Sequence, residues 1–177
     1  MSTNEVPSNG EWNNEIEALC TLLRTELSAS ETYRTAVHAI ERGAGVPALS
    51  LRCLYRSHRR FADVLRVLIR ELGGSPWESV GAWGVWAAVH ERVAALNGRA
   101  NGPAVLRVLR HGERYSLELA RGALHDLEGP RAAWVRGKLV EGIEANLGLI
   151  DALQRSSADE PEDVASTSVA TQLQGSS

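Results

Sequence analysis

The sequence predicts an all-α protein, a four-helix bundle with a long crossover between its second and third helices. Two observations carry that expectation. Four stretches repeat apolar residues every three or four positions, the recurrence of a helix with one buried face and not the alternation of a strand. Between the second and third of them lies the segment Ser75 to Ala100, far longer than the few residues of a tight helical hairpin.

In chain order, residues 1–12 are polar, carry Pro7 and Gly10, and read as a flexible arm. Asn13 or Asn14 then offers an N-cap, and the first helix runs to Arg42. It stops at Gly43 to Gly45, where glycine takes the left-handed cap conformation. Its apolar stripe is Leu19, Leu23, Leu27, Tyr33, Val37 and Ile40. The second helix opens at Val46-Pro47, with proline in its first turn, and ends at Gly73-Gly74 with Pro76 beyond. Leu51, Leu54, Tyr55, His58, Phe61, Leu65, Leu68 and Leu72 form its stripe.

The crossover holds Trp77, Trp83 and Trp86, and Val85 to Leu96 within it has the composition of a short helix. The third helix spans 103–127, after Asn101 and Gly102, with Leu106, Leu109, Glu113, Ser116, Ala120, Leu124 and Leu127 along one side. The fourth follows Gly129-Pro130 and carries Trp134, Val140, Ile143, Leu147, Ile150 and Leu153 as far as Arg155. Residues 156–177 are rich in Ser, Thr, Asp, Glu and Pro, with almost nothing to bury, and read as a disordered tail. The domain is thus expected over 13–155.

Five glycines interrupt helices three and four: Gly112, Gly122, Gly137, Gly142 and Gly148. Each costs about 1 kcal/mol against alanine in a helix interior. Gly137, Ala145, Gly148 and Ala152 also fall on one face, which lets a neighbouring helix or a second subunit approach closely. A homo-oligomer is the expected assembly, with the crossover tryptophans either at its interface or packed over the end of the bundle.

The 177 residues, 44% of them hydrophobic and 23% charged, are those of a single globular domain rather than a disordered or fibrous chain. A net charge of -3 gives no reason to expect a nucleic-acid or anionic-membrane partner. No apolar run approaches the roughly 20 residues of a membrane span. The first residues lack the basic and apolar regions of a signal peptide, so a cytoplasmic location is expected. Cys20 and Cys53 form no CxxC and read as buried or half-buried thiols, not as a disulfide.

Each helical stripe is broken near its middle by a polar residue: Glu26, His58, Glu113 and Glu144. In an antiparallel bundle the helix midpoints share one level, so these four are expected to converge. A carboxylate facing a core costs several kcal/mol unless it is paired, neutralised or bound to a metal.

The segment Glu26-Leu27-Ser28-Ala29-Ser30-Glu31-Thr32-Tyr33 resembles the E-L-x-A-x-x-x-Y signature of the first bacterioferritin helix. Phe61-Ala62-Asp63 to Gly74-Ser75-Pro76 resembles the end of its second helix. Residues 14–154, about four fifths of the chain, are similar to a family of uncharacterised bacterial four-helix proteins in the ferritin-like superfamily. The shared pattern is a second helix ending L-G-G-x-P, a G-E in the third (Gly112-Glu113), and a fourth ending I-x-A-L (Ile150 to Leu153).

The resemblance implies a ferritin-like fold, whose di-iron sites take one Glu from each of two helices and a Glu-x-x-His from each of the others. Carried over, Glu26 and Glu113 match the lone glutamates. The second-helix pair falls on His58 and Phe61, and the fourth-helix pair on Glu144 and Leu147, with Glu141 the alternative if that helix is rotated. Both histidines of the pattern are apolar here, so the site is degenerate. Glu26, His58, Glu113 and Glu144 then read as a hydrogen-bonded register-fixing cluster, as ligands of one iron or manganese ion, or as an acid–base group. The corresponding functions are an interaction or stress-associated module without catalysis, and a metal-binding protein with weak ferroxidase-type activity. His38, His90, His111 and His125 read as surface or half-buried residues, and Arg52, Arg56, Arg59 and Arg60 as a solvated basic face.

Overall fold

The computed structural model describes residues 9–40, 47–76, 82–96 and 102–158. Among them all regular structure is helical, with no strand. Helix α1 covers Asn9–Ile40 and so includes Asn13 and Asn14, which therefore do not cap it. The expected stop at Gly43 to Gly45, Trp77, and the tail from 159 onward lie outside the described residues, as does the arm up to residue 8.

Helix α1 is buried over more of its circumference than one stripe, because it packs against α2 (Ala48–Glu71), α3 (Val85–Ala95) and α4 (Gly102–Ala123). Its small polar residues make that burial affordable. The Thr25 hydroxyl donates to the Thr21 carbonyl at 2.9 Å, Thr32 to Ser28 at 2.9 Å and Ser30 to Leu27 at 2.8 Å. Each satisfies itself on its own helix, so its neighbours can be apolar.

Pro47 precedes α2 in an extended conformation, one residue earlier than the first-turn position expected. At the other end Gly73 takes a φ of 78°. Its N–H donates to the Arg70 carbonyl and that of Gly74 to the Ile69 carbonyl, both at 2.9 Å, the paired bonds of a Schellman cap. The segment between α2 and α4 contains α3, as its composition suggested, and just before α3 the Trp83 N–H donates to Ser28 Oγ of α1 at 2.8 Å.

Helix α4 stops at Ala123, short of the expected 127, and a turn leads to α5 (Gly129–Trp134), which has proline in its first turn. The Glu15 carboxylate of α1 pins that start. It accepts from the Glu128 N–H at 3.1 Å and from Arg131 Nε and Nη2 at 2.8 Å each. A π-helical turn, Val135–Val140, joins α5 to α6 (Glu141–Ala158) without a break. The wider π turn changes which residues face inward beyond it. From there the buried positions are Leu139, Val140, Ile143, Asn146, Ile150 and Leu153.

The core divides into two clusters. One joins Ala29 to Ile40 of α1, Leu51 and Leu54 of α2, α3, Val105 to Leu109 of α4, and Ile150 and Leu153 of α6. The other joins Leu19 to Leu23, Ala62 to Ile69, Ala120, Leu127 and Val135 to Ile143. Glu26, His58, Glu113 and Asn146 each fall, in sequence, between their helix's contributions to the two clusters.

Two of the helical glycines make room for rings. A Cβ on Gly142 would collide with the Phe61 ring, and one on Gly112 with the Trp86 indole. Gly137 and Gly148 face open space, Ala145 is exposed and Ala152 half-buried, so the expected small-residue face meets no backbone among the described residues. Cys20 is half-buried, Cys53 is exposed where a buried or half-buried thiol was expected, and the two form no disulfide. His38, His111 and His125 are exposed and His90 is half-buried. No described helix is long and apolar enough to cross a membrane.

Candidate functional site

Three of the four polar residues singled out from the sequence meet at the level between the two clusters. His58 stands between Glu26 and Glu113, and all three are 0–1% exposed. Its Nδ1 lies 2.7 Å from Glu26 Oε2, and its Nε2 lies 2.7 Å from Glu113 Oε1. The Tyr33 hydroxyl donates to the same Glu113 oxygen at 2.6 Å. The Asn146 amide nitrogen approaches His58 Nε2 at 3.4 Å, near the outer limit of a hydrogen bond. Glu113 Oε2 is buried and has no hydrogen-bond partner among the described residues.

Aromatic rings enclose the imidazole. Tyr33 stacks on it with centroids 5.1 Å apart and planes at 22°, and Trp86 meets it edge-on at 6.1 Å. The Trp86 N–H donates to Ser116 Oγ at 2.9 Å, which fixes the indole. Away from water, charge attractions are strong and unpaired charges costly.

The electrostatics follow from that enclosure. Burial alone would push the His58 imidazole down, but the Glu113 carboxylate, then Glu26, outweigh it and hold its pKa up at about 10. Burial raises the Glu26 carboxyl above its ordinary value, against the pull of His58. Burial and then Glu113 raise the Tyr33 hydroxyl well above its usual range. The pocket therefore retains protons. An imidazolium donating to both carboxylates uses both ring N–H groups.

The fourth expected residue is elsewhere. Glu144 is exposed and accepts from Arg121 Nη2 at 2.6 Å, and Glu141 is exposed as well. The residue that α6 sends inward is Asn146. Two residues along an α-helix turn the side chain by about 200°, so Glu144 and Asn146 point to opposite sides. The four-and-three spacing of Leu139, Ile143, Asn146, Ile150 and Leu153 carries that signal, which a search restricted to carboxylates passes over. Tyr33 entered the sequence reading as an apolar stripe residue, although its hydroxyl belongs to the site. Nothing in the spacing of Trp86 and Ser116 marks them as its wall.

These residues do not fit a di-iron centre. Metal ligands must be deprotonated and converge on one point. His58 instead separates the carboxylates, since its nitrogens lie on opposite edges of the ring and each already faces an oxygen. Phe61 packs edge-on against Trp134, with centroids 6.4 Å apart, and α6 supplies an amide instead of a carboxylate and a histidine. Among the described residues no group of three or more His, Cys, Asp or Glu side chains is placed to hold a metal ion. No family model, curated protein or solved structure matches this chain.

Proposed function

We propose that this chain is a ferritin-like four-helix protein with a crossover, acting without catalysis as an interaction or stress-associated module. In it an imidazolium takes the place a metal would hold. The crossover is supported by the order of the clusters. Both α2 and α4 contribute first to the cluster containing Leu51 and Val105 and later to the one containing Ile69 and Ala120. That order favours a connection that returns along the bundle over a short hairpin.

The observation that carries the functional reading is the engagement of both His58 nitrogens at 2.7 Å in a fully buried setting. Satisfying that triad requires three helices at one level, so it fixes register and disfavours slipped packings. Metal analysis of protein purified without chelator, repeated for Glu26→Ala, tests the proposal. Neither protein should hold stoichiometric metal.

A second reading rests on the buried, unpartnered Glu113 Oε2. A single iron or manganese ion bound there, with weak oxidase activity toward ferrous iron, would give it a partner. Stoichiometric metal in the parent and none in Glu26→Ala would establish that reading and end the first.

A further inference from the structure

The faces of α1 and α4 that receive α3 continue beyond it. On α1, Ser28 accepts the N–H of Trp83 just before α3, and on α4, Gly112 and Ser116 touch the Trp86 indole. Seven residues make about two helical turns, so Thr21 shares the face of Ser28, and Leu119 and Ala123 share those of Gly112 and Ser116. There the two helices leave an open groove of about 470 Å³. Its floor is small and apolar, formed by Ala18, Leu22, Leu119 and Ala123. Its rim carries Glu17 and Asp126, both exposed and without a basic partner among the described residues. The groove runs out at the C-terminal end of α4, whose partial negative charge adds to theirs.

Helix α2 presents a face of the opposite charge with an apolar strip beside it. Arg56, Arg59 and Arg60 are exposed and have no acidic partner among the described residues. They lie beside Val64 and Val67, and Val67 is 49% exposed. Asp63, within that face, is held by Arg66 at 2.8 Å, so the face stays net positive. Arg60 is two residues from His58, a turn of about 200°. The face therefore points away from the bundle and cannot reach the α1–α4 groove of its own molecule.

We propose that the outer face of α2 in one copy lies in the α1–α4 groove of a second copy. Within one chain α3 already fills the other half of that groove, where Val89 and Val93 pack against α1 and α4. Val64 and Val67 then cover the apolar floor, and the arginines meet Glu17 and Asp126. Because the two faces differ, the contact is head-to-tail, and each added copy leaves one groove and one α2 face open for the next. The contact does not depend on what His58 holds, so metal content neither supports nor opposes it.

Sedimentation velocity of the full chain tests this. At about 0.1 M salt the average mass of the parent should rise above that of a monomer between about 1 and 200 µM protein. Gly122→Arg puts a cation into the groove at a position where a Cβ meets nothing within 4 Å. A second variant carries Arg56→Gln, Arg59→Gln and Arg60→Gln, all at exposed positions. Circular dichroism should show both folded, and each alone should associate about tenfold more weakly than the parent, or worse. Mixed in equal amounts they should form a one-to-one pair, since one keeps the α2 face and the other the groove. A parent that stays monomeric over that range would overturn the proposal. So would either variant associating as the parent does, or a mixture that fails to pair.

Discussion

A Cβ on Gly112 would stand 2.6 Å from Cη2 of Trp86, so the backbone of α4 and the indole of α3 are in direct contact. That contact explains a glycine in the interior of α4. The fully buried indole has no room to withdraw, since its N–H is held by Ser116.

Gly112→Ala should therefore destabilise the fold by about 1–3 kcal/mol, the cost of overpacking a core. Gly148→Ala, also inside a helix but facing open space, should stabilise by about 0.5–1 kcal/mol through helix propensity alone. Urea unfolding of the two variants checks the opposite signs.

His58→Ala should cost about 3–5 kcal/mol, because it leaves two buried carboxyl groups without their shared donor. Glu26→Gln keeps a hydrogen-bonding group of the same shape and removes the charge, so its cost should be nearer 1 kcal/mol. Denaturant midpoints at neutral pH decide this. A His58→Ala cost no greater than that of Glu26→Gln would show that the imidazolium does not hold the cluster together.

Stability should fall as pH rises. His58 keeps its proton to about 10 when folded, against 6.5 ordinarily, so its contribution is complete below pH 6.5 and lost between 6.5 and about 10. Glu26, raised from 4.5, adds loss in the same direction above pH 4.5. Tyr33, raised well above 10, adds loss beyond pH 10. Melting temperatures across this range test the sign, and His58→Gln should flatten the slope between pH 6.5 and 10.

Phe61→His should lower the melting temperature, with a cost of about 1–3 kcal/mol in apolar burial. The ring it replaces packs on Trp134 and over Gly142. Added ferrous or manganous ion under anaerobic conditions should not restore the parent value. Restoration would mean that the new imidazole had completed a metal site.

The helical class, the glycine stop at Gly73 and the short helix between α2 and α4 are legible in the sequence because each rests on local chemistry. Spacing, a left-handed φ and composition act within a few residues. Glu26, His58 and Glu113 are legible for a similar reason, as polar breaks in otherwise apolar stripes. Asn146 falls in step with Ile143, Ile150 and Leu153, but a search restricted to carboxylates passes over an amide. The tie of Glu15 to Arg131 is silent, since it joins positions 116 residues apart. Cys53 is exposed because α2 turns that side to solvent, which its placement in a helical pattern cannot reveal.

The protonation state of His58 tests the central claim most directly. Nitrogen-detected nuclear magnetic resonance of the labelled imidazole at pH 8 distinguishes a ring with both nitrogens protonated from a neutral tautomer or a metal-bound ring. The account predicts the doubly protonated ring, persisting toward the pKa of about 10 that its two carboxylates sustain. A neutral His58 at pH 8, or one whose Nδ1 or Nε2 carries a metal, would contradict it.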